Sequence, residues 1–285
     1  MSASTTRSVC VAIATLLLCC EPVSGQQATR VQAVTQPGRG EVDATQLISF
    51  DRYGRDPTGA GRTVTDLSVH TVLRYGISRD WSAVAQLPIV SRVTEMPAVG
   101  PGDDEEGIQG LGDARVDLRY RFYQHDFGPL NTIRLAARFG VEAPTGARDV
   151  GSHSWDPIIG ASAMYINGRW GLNASAEYKL STSTIRDNAI IGSGADDLLE
   201  FGTAAVYRVF PERWGNESHG AGYIVLEHVS RFETGGDREV VAYPGLLWED
   251  TRWAAELSVG VPIHQRSVDR LERDFSLSIG FRVLF

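Results

Sequence analysis

GDARVDLRYRFY, residues 112–123, alternates without a slip: Ala114, Val116, Leu118, Tyr120 and Phe122 share one phase, and Asp113, Arg115, Asp117, Arg119 and Arg121 the other. A period of two is a β-strand, here with one face wholly apolar and the other wholly charged. The core of a soluble sheet does not bury five charges on one strand. The charged face must therefore meet water or a packed polar lumen while the apolar face meets lipid, which is the pattern of a transmembrane β-barrel.

The same alternation recurs on both sides of this stretch. It predicts strands at 41–53, 64–76, 81–92, 131–144, 155–166, 170–180, 198–210, 221–232, 240–248 and 253–263, and a closing strand at 275–285. In the last of these, Phe275, Leu277, Ile279, Phe281, Val283 and Phe285 are in phase. Strands 221–232 and 240–248 have an ambiguous phase, and Pro244 removes a ladder donor from the second. With residues 112–123 the total is twelve, an even number, as a single-chain barrel with both ends in the periplasm requires. Connections alternate between long polar loops, such as 93–111 and 181–197, and short turns such as ISRD, NGR and EDTR. The ten-residue PERWGNESHG breaks the rule. Short turns are the periplasmic ones in such barrels.

If so, Tyr75, Trp81, Tyr120, Phe122, Tyr165, Trp170, Tyr207, Trp253 and Phe285 all fall at the periplasmic strand ends in the apolar phase. Amphipathic rings belong at the headgroup level, so these nine form a candidate aromatic girdle. The polar phase supplies candidate lumen-lining residues: Arg115, Asp117, Arg119, Arg121, Arg134, Arg138, Glu142, Glu177, Lys179, Glu200 and Arg208. They suit either a narrow channel or a salt-bridged, filled lumen, since twelve strands lie between filled eight-stranded barrels and open porins.

The N-terminus carries Arg7, an apolar run over 9–20 and small residues before Gln26, which reads as a signal peptide over residues 1–25. The run is too short to span a bilayer as a helix. Leu18 and Cys19 precede Cys19 and Cys20 where a lipoprotein signal wants a small residue, so lipidation is disfavoured. All three cysteines lie in this segment, which excludes disulfides and thiolate chemistry from the rest. Residues 26–40 show no periodicity and read as a flexible periplasmic lead-in, and 41–285 as the barrel. A net charge of −8 argues against a nucleic-acid partner.

The stretches LRYGISRDWSAVAQLPIV (73–90), GLGDARVDLRYRFY (110–123) and FGVEAPTG (139–146) resemble the outer-membrane family named after the meta-cleavage pathway of phenol degradation. Gly110, Gly112 and Asp113 match its GxGD strand start, and Tyr75, Gly76, Leu87 and Pro88 its turn and outgoing strand. The resemblance implies a transporter of the outer membrane and maps no functional residues. It adds small, aromatic or hydrophobic solutes as the expected cargo. A terminal aromatic at Phe285 resembles the signal read by the barrel-assembly machinery, the expected partner besides outer-membrane lipid.

No cofactor is expected. The acidic run 103–106 lacks the alternating spacing of a calcium loop. The six histidines show no HxH or HExxH spacing. There is no GxSxG elbow, so the chain is not expected to be an enzyme. A membrane-embedded hydrolase using His70, His153 or His228 with a serine on a neighbouring strand stays open as an alternative, because such a triad is recognised by geometry. A soluble periplasmic β protein is a further alternative, disfavoured by the charge on 112–123.

Overall fold

The computed structural model describes residues 26–32, 34–97, 104–128, 131–147, 150–184, 190–192, 194–213 and 220–285. Residues 1–25, with the expected signal peptide and the three cysteines, lie outside the described residues, as do Asp103 and parts of the loops at 145–154, 181–197 and 211–220.

The described residues form thirteen strand segments: β1 (Val42–Arg55), β2 (Thr63–Gly76), β3 (Trp81–Met96), β4 (Asp104–Leu111), β5 (Ala114–Gly128), β6 (Asn131–Ala143), β7 (Asp156–Asn167), β8 (Trp170–Lys179), β9 (Leu198–Phe210), β10 (Gly220–Glu233), β11 (Arg238–Asp250), β12 (Trp253–Arg266) and β13 (Glu272–Leu284). Sequence neighbours pair antiparallel, except that β4 and β5 both pair with β3, and β13 pairs with β1, so the sheet closes on itself. Phe285 N donates to Val42 O at 2.8 Å and Val42 N to Phe285 O at 3.2 Å, completing the seam.

Segments β4 and β5 are one wall strand. Both pair with β3, with Ile89 opposite Leu111 and Gln86 opposite Arg115, so the barrel has twelve walls. The break falls where Pro88 offers no amide to the ladder. Gly112 N instead donates to Pro88 O at 2.9 Å. The Asp113 side chain turns away and accepts from Gly146 N at 2.8 Å and from Ser152 N, tying the β6–β7 loop to the rim. Of the stretch 93–111, expected as a loop, residues 93–96 and 104–111 instead pair as antiparallel strands that continue the wall, and 98–103 lie outside the described residues. Met96 pairs with Asp104 and Glu95 with Glu105. Its polar composition hides it, because strand pairing needs no apolar face where both sides meet water.

Outward side chains are apolar and exposed around the whole circumference, among them Val116, Phe139, Ile159, Ile224, Leu246, Leu257, Ile263 and Ile279. Leaving one such side chain in water forgoes roughly 1.5–3 kcal/mol, so a continuous belt of them suits lipid as the surrounding solvent. No helix among the described residues is long and apolar enough to cross a membrane, which says nothing against crossing by strands.

Candidate functional site: the lumen

Strand alternation sends every second side chain inward, and the inward set divides by height. In the half nearer the long loops it is charged and encloses a cavity of about 430 Å³. In the half nearer the short turns the space is filled by residues 26–32 and 34–37, the described part of a segment that enters from the rim beside Gly76, turns at Arg30, and returns. Gly40 N donates to Gly76 O at 2.8 Å at the way in, and Gln26 Nε2 to Gly168 O at 3.0 Å at the other end. The 26–40 stretch, expected as a periplasmic lead-in, thus lies largely inside the barrel.

Two kinds of contact seat it. Val31 and Ala28 are buried with Ala204, Val206, Tyr223, Val225, Leu247 and Ala254, and Val34 with Ala136, Met164 and Ile166. These inward apolar residues make β10 and β11 look ambiguous in phase, since both of their faces are greasy. The second kind is polar. Glu227 Oε1 accepts Arg30 N at 2.9 Å and Val31 N at 2.8 Å, and Glu256 Oε2 accepts Thr29 N at 3.1 Å and Thr29 Oγ1 at 2.8 Å. Arg119 donates to Gln32 Oε1. At the apex, Arg30 Nη2 donates to Ser49 Oγ at 3.2 Å and to Ser278, and its guanidinium lies 4.1 Å over the Tyr243 ring. Glycines leave room for the segment: a Cβ on Gly280 would lie 2.8 Å from Thr29 Oγ1, and one on Gly171 2.9 Å from Gln26 Cβ.

The predicted polar residues mostly form a charge network on the wall. Arg115 donates to Asp117 at 3.0 Å and to Glu177 Oε1 at 2.9 Å, and Arg138 also donates to Glu177. Lys179 reaches Glu142 at 3.2 Å and Gly192 O at 2.9 Å, and Arg231 reaches Glu200 at 2.8 Å. Of the remainder, Arg208 is buried, and Arg134 makes a 3.3 Å bond to Thr132. Arg121 lies at the short-turn rim, bonded to Arg79 O and to Asp80 Oδ1 at 3.3 Å. Nearer the long loops, Arg273 bridges Asp51 and Glu239, Arg92 pairs with Asp66 at 2.8 Å, and Ile190 and Ile191 fold inward over the cavity. Arg30, Glu227 and Glu256 were absent from the expected set. Only Glu227 leaves a signal in the sequence, a lone acid on an otherwise apolar inward face, Tyr223, Val225, Glu227, Val229, which demands a partner from elsewhere.

The predicted ring residues occupy the short-turn end and face outward. Tyr75, Trp81, Tyr120, Phe122, Trp170 and Trp253 are exposed, and Tyr165, Tyr207 and Phe285 half-buried. Trp81 stacks on Tyr120 and Trp170 packs against Tyr207, each with ring centroids 4.6 Å apart. Phe127, Phe210 and Trp248 join the same band, stacking with Tyr165 and with each other.

Of the three candidate histidines, His70 lines the cavity. His228 Nε2 lies 3.0 Å from Ser230 Oγ on the outward face of β10, where the residues paired with His228 are Thr203 and Ala242. Among the described residues no three His, Cys, Asp or Glu side chains converge as a metal site.

Among solved structures, the COG4313 outer membrane channel from Pseudomonas putida F1 is similar over 90% of this chain and 100% of that one, at 14% identity and a TM-score of 0.58. The β domain of the Bordetella autotransporter BrkA follows at 17% identity, covering 87% of this chain and 100% of that one, with a TM-score of 0.48. LpxR from Salmonella typhimurium covers 85% of this chain and 100% of that one at 9% identity and a TM-score of 0.44. The first likeness supports the outer-membrane barrel fold. No family model matches the chain, and neither does any curated protein.

Proposed function

We propose that the chain is a passive outer-membrane channel for small solutes, held closed in this conformation by residues 26–37. The observation that carries this reading is the charged cavity of about 430 Å³ standing directly above a segment seated on Glu227 and Glu256. Withdrawal of the segment toward the short-turn side would join the cavity to the periplasm. The segment is held by a handful of hydrogen bonds and three small apolar side chains, whereas the wall is held by continuous ladders, so the segment is the part that can move.

The lining bears on the cargo. Arg30, Asp66, Arg92, Glu177, Lys179 and Arg273 face the cavity, and a charged wall favours small polar solutes over the aromatic or hydrophobic ones that family resemblance implies. Membership of the phenol meta-pathway family fits the barrel and the GxGD motif. In this reading Asp113 is a structural residue, since it ties the loop at Gly146 and Ser152. The closing strand, ending in Phe285 at the seam, is the element offered to the assembly machinery.

The test is reconstitution of the full chain in planar bilayers, with uptake into liposomes of a zwitterionic amino acid and of an aromatic hydrocarbon as the two cargo arms. Discrete conductance steps and faster uptake of the amino acid are expected. Steady silence across salt conditions would overturn the channel. The 3.0 Å contact of Ser230 with His228 favours one second reading, a lipid-facing hydrolase. It predicts ester hydrolysis in detergent that is lost in Ser230→Ala, whereas the channel reading predicts conductance without turnover.

A further inference from the structure

Arg238 and Arg266 lie directly opposite each other across the β11–β12 ladder, at the long-loop end of the barrel. Their face is the outer one. Glu239, the next residue along, points inward to Arg273, and Val240, which follows it on the outward phase, pairs with His264. Arg238, His264 and Arg266 are all exposed. Among the described residues neither arginine has a carboxylate within 4.0 Å, whereas most other arginines of the wall strands, such as Arg74, Arg92, Arg115 and Arg282, do. Arg55 at the same rim, for example, holds Glu272 at 3.0 Å. Like charges set directly across a ladder repel, so this pair is disfavoured unless an anion lies between them. Immediately below on β12, the outward face turns apolar at Ile263 and Val261.

Two guanidinium forks over an apolar wall fit one kind of ligand, an amphiphile with a phosphate head. We propose that Arg238 and Arg266, with His264 beside them, bind the phosphate of a phosphorylated glycolipid in the outer leaflet, whose acyl chains run down over Ile263 and Val261. The site lies on the outside of the barrel and is separate from the lumen. It rests on the membrane-embedded reading given above, and not on the chain's being open or closed.

The test is native mass spectrometry of the full chain in detergent, titrated with a purified bis-phosphorylated glycolipid, with its dephosphorylated form, and with inorganic phosphate as competitor. The wild type is expected to hold the phosphorylated lipid, and the double variant R238A/R266A to hold it roughly tenfold or more weakly, as two surface arginines facing an anionic lipid imply. R55A, which breaks a paired rim arginine, should bind like wild type. Heat-modifiable migration on a gel checks that each variant is folded, and bilayer conductance of R238A/R266A should match wild type. Equal binding of the dephosphorylated lipid would overturn the proposal, as would unchanged binding by the folded double variant. Full displacement by millimolar inorganic phosphate would show that the lipid portion contributes nothing and would overturn it too. Loss of conductance in the wild type with lipid binding intact would strike the channel reading and leave this site standing.

Discussion

Glu227 holds Val31 by a 2.8 Å bond from the Val31 backbone nitrogen to the carboxylate, and the same oxygen takes the Arg30 nitrogen at 2.9 Å. The segment therefore docks through its main chain. Glu227→Ala strands two N–H donors in a nearly dry site, at a cost of about 1–3 kcal/mol for each unmet group. The segment should be released more often while the barrel stays folded. Limited proteolysis within residues 26–37 should quicken, and mean open time in bilayers should lengthen, with heat-modifiable migration unchanged.

Glu177 is shared by Arg115 and Arg138. Glu177→Ala leaves two inward arginines without that partner, and losing one member of a buried ion pair costs about 3–5 kcal/mol. The variant should unfold from its heat-resistant form at a lower temperature. Its added positive charge in the cavity should shift the reversal potential toward anion selectivity under a salt gradient.

In the loop after β1, the Arg62 side chain bonds to Asp56 at 2.8 Å and holds its carboxyl well below the usual carboxylate range. A depressed native pKa means that this contribution is fully present above the unfolded carboxylate value of about 3.9. It is lost only as the pH falls through the lower, native value. Hydrogen exchange at residues 56–62 should therefore stay flat from pH 7 to about 4, after correction for the intrinsic rate, and rise only below that. Asp56→Asn should show the faster exchange at every pH.

Phe285 closes the barrel through its paired bonds with Val42. Removing it takes away the last rung of the seam and one ring of the aromatic band. Deletion of Phe285 should lower the fraction of chain recovered in heat-modifiable form more than a deletion within the 56–62 loop does. Equal recovery of the two would show that the seam does not depend on its final residue.

The wall was legible because its chemistry repeats every two residues: β5, β8 and β12 state both faces outright. The face that each residue takes follows from that alternation, and the even strand count implies closure. What occupies the lumen was not legible. Residues 26–37 carry no period because they are held by backbone nitrogens, and a main-chain donor looks the same in every sequence. The trace they leave is on their partners: inward Ala204, Val206, Tyr223 and Val225 are apolar where a water-filled barrel would be polar. That is why β10 and β11 resisted a phase. Pro244 misled in the same direction, since it sits where the β11–β12 ladder lapses between Ala242 and Gly245. The β3–β4 pairing is hidden for the opposite reason, since charged and small residues interrupt the apolar ones on both faces.

The central claim is that residues 26–37 stop the pore, and the structure supplies a way to lock them. A Cβ placed on Gly280 would lie 3.3 Å from the Cβ of Thr29, close to disulfide spacing, and beyond residue 25 the chain has no cysteine to interfere. Single-channel conductance of the Thr29→Cys, Gly280→Cys double variant should be measured in one bilayer before and after a reductant is added. Near-silence when oxidised and discrete openings on reduction would support the stopper. The same conductance in both states would contradict it.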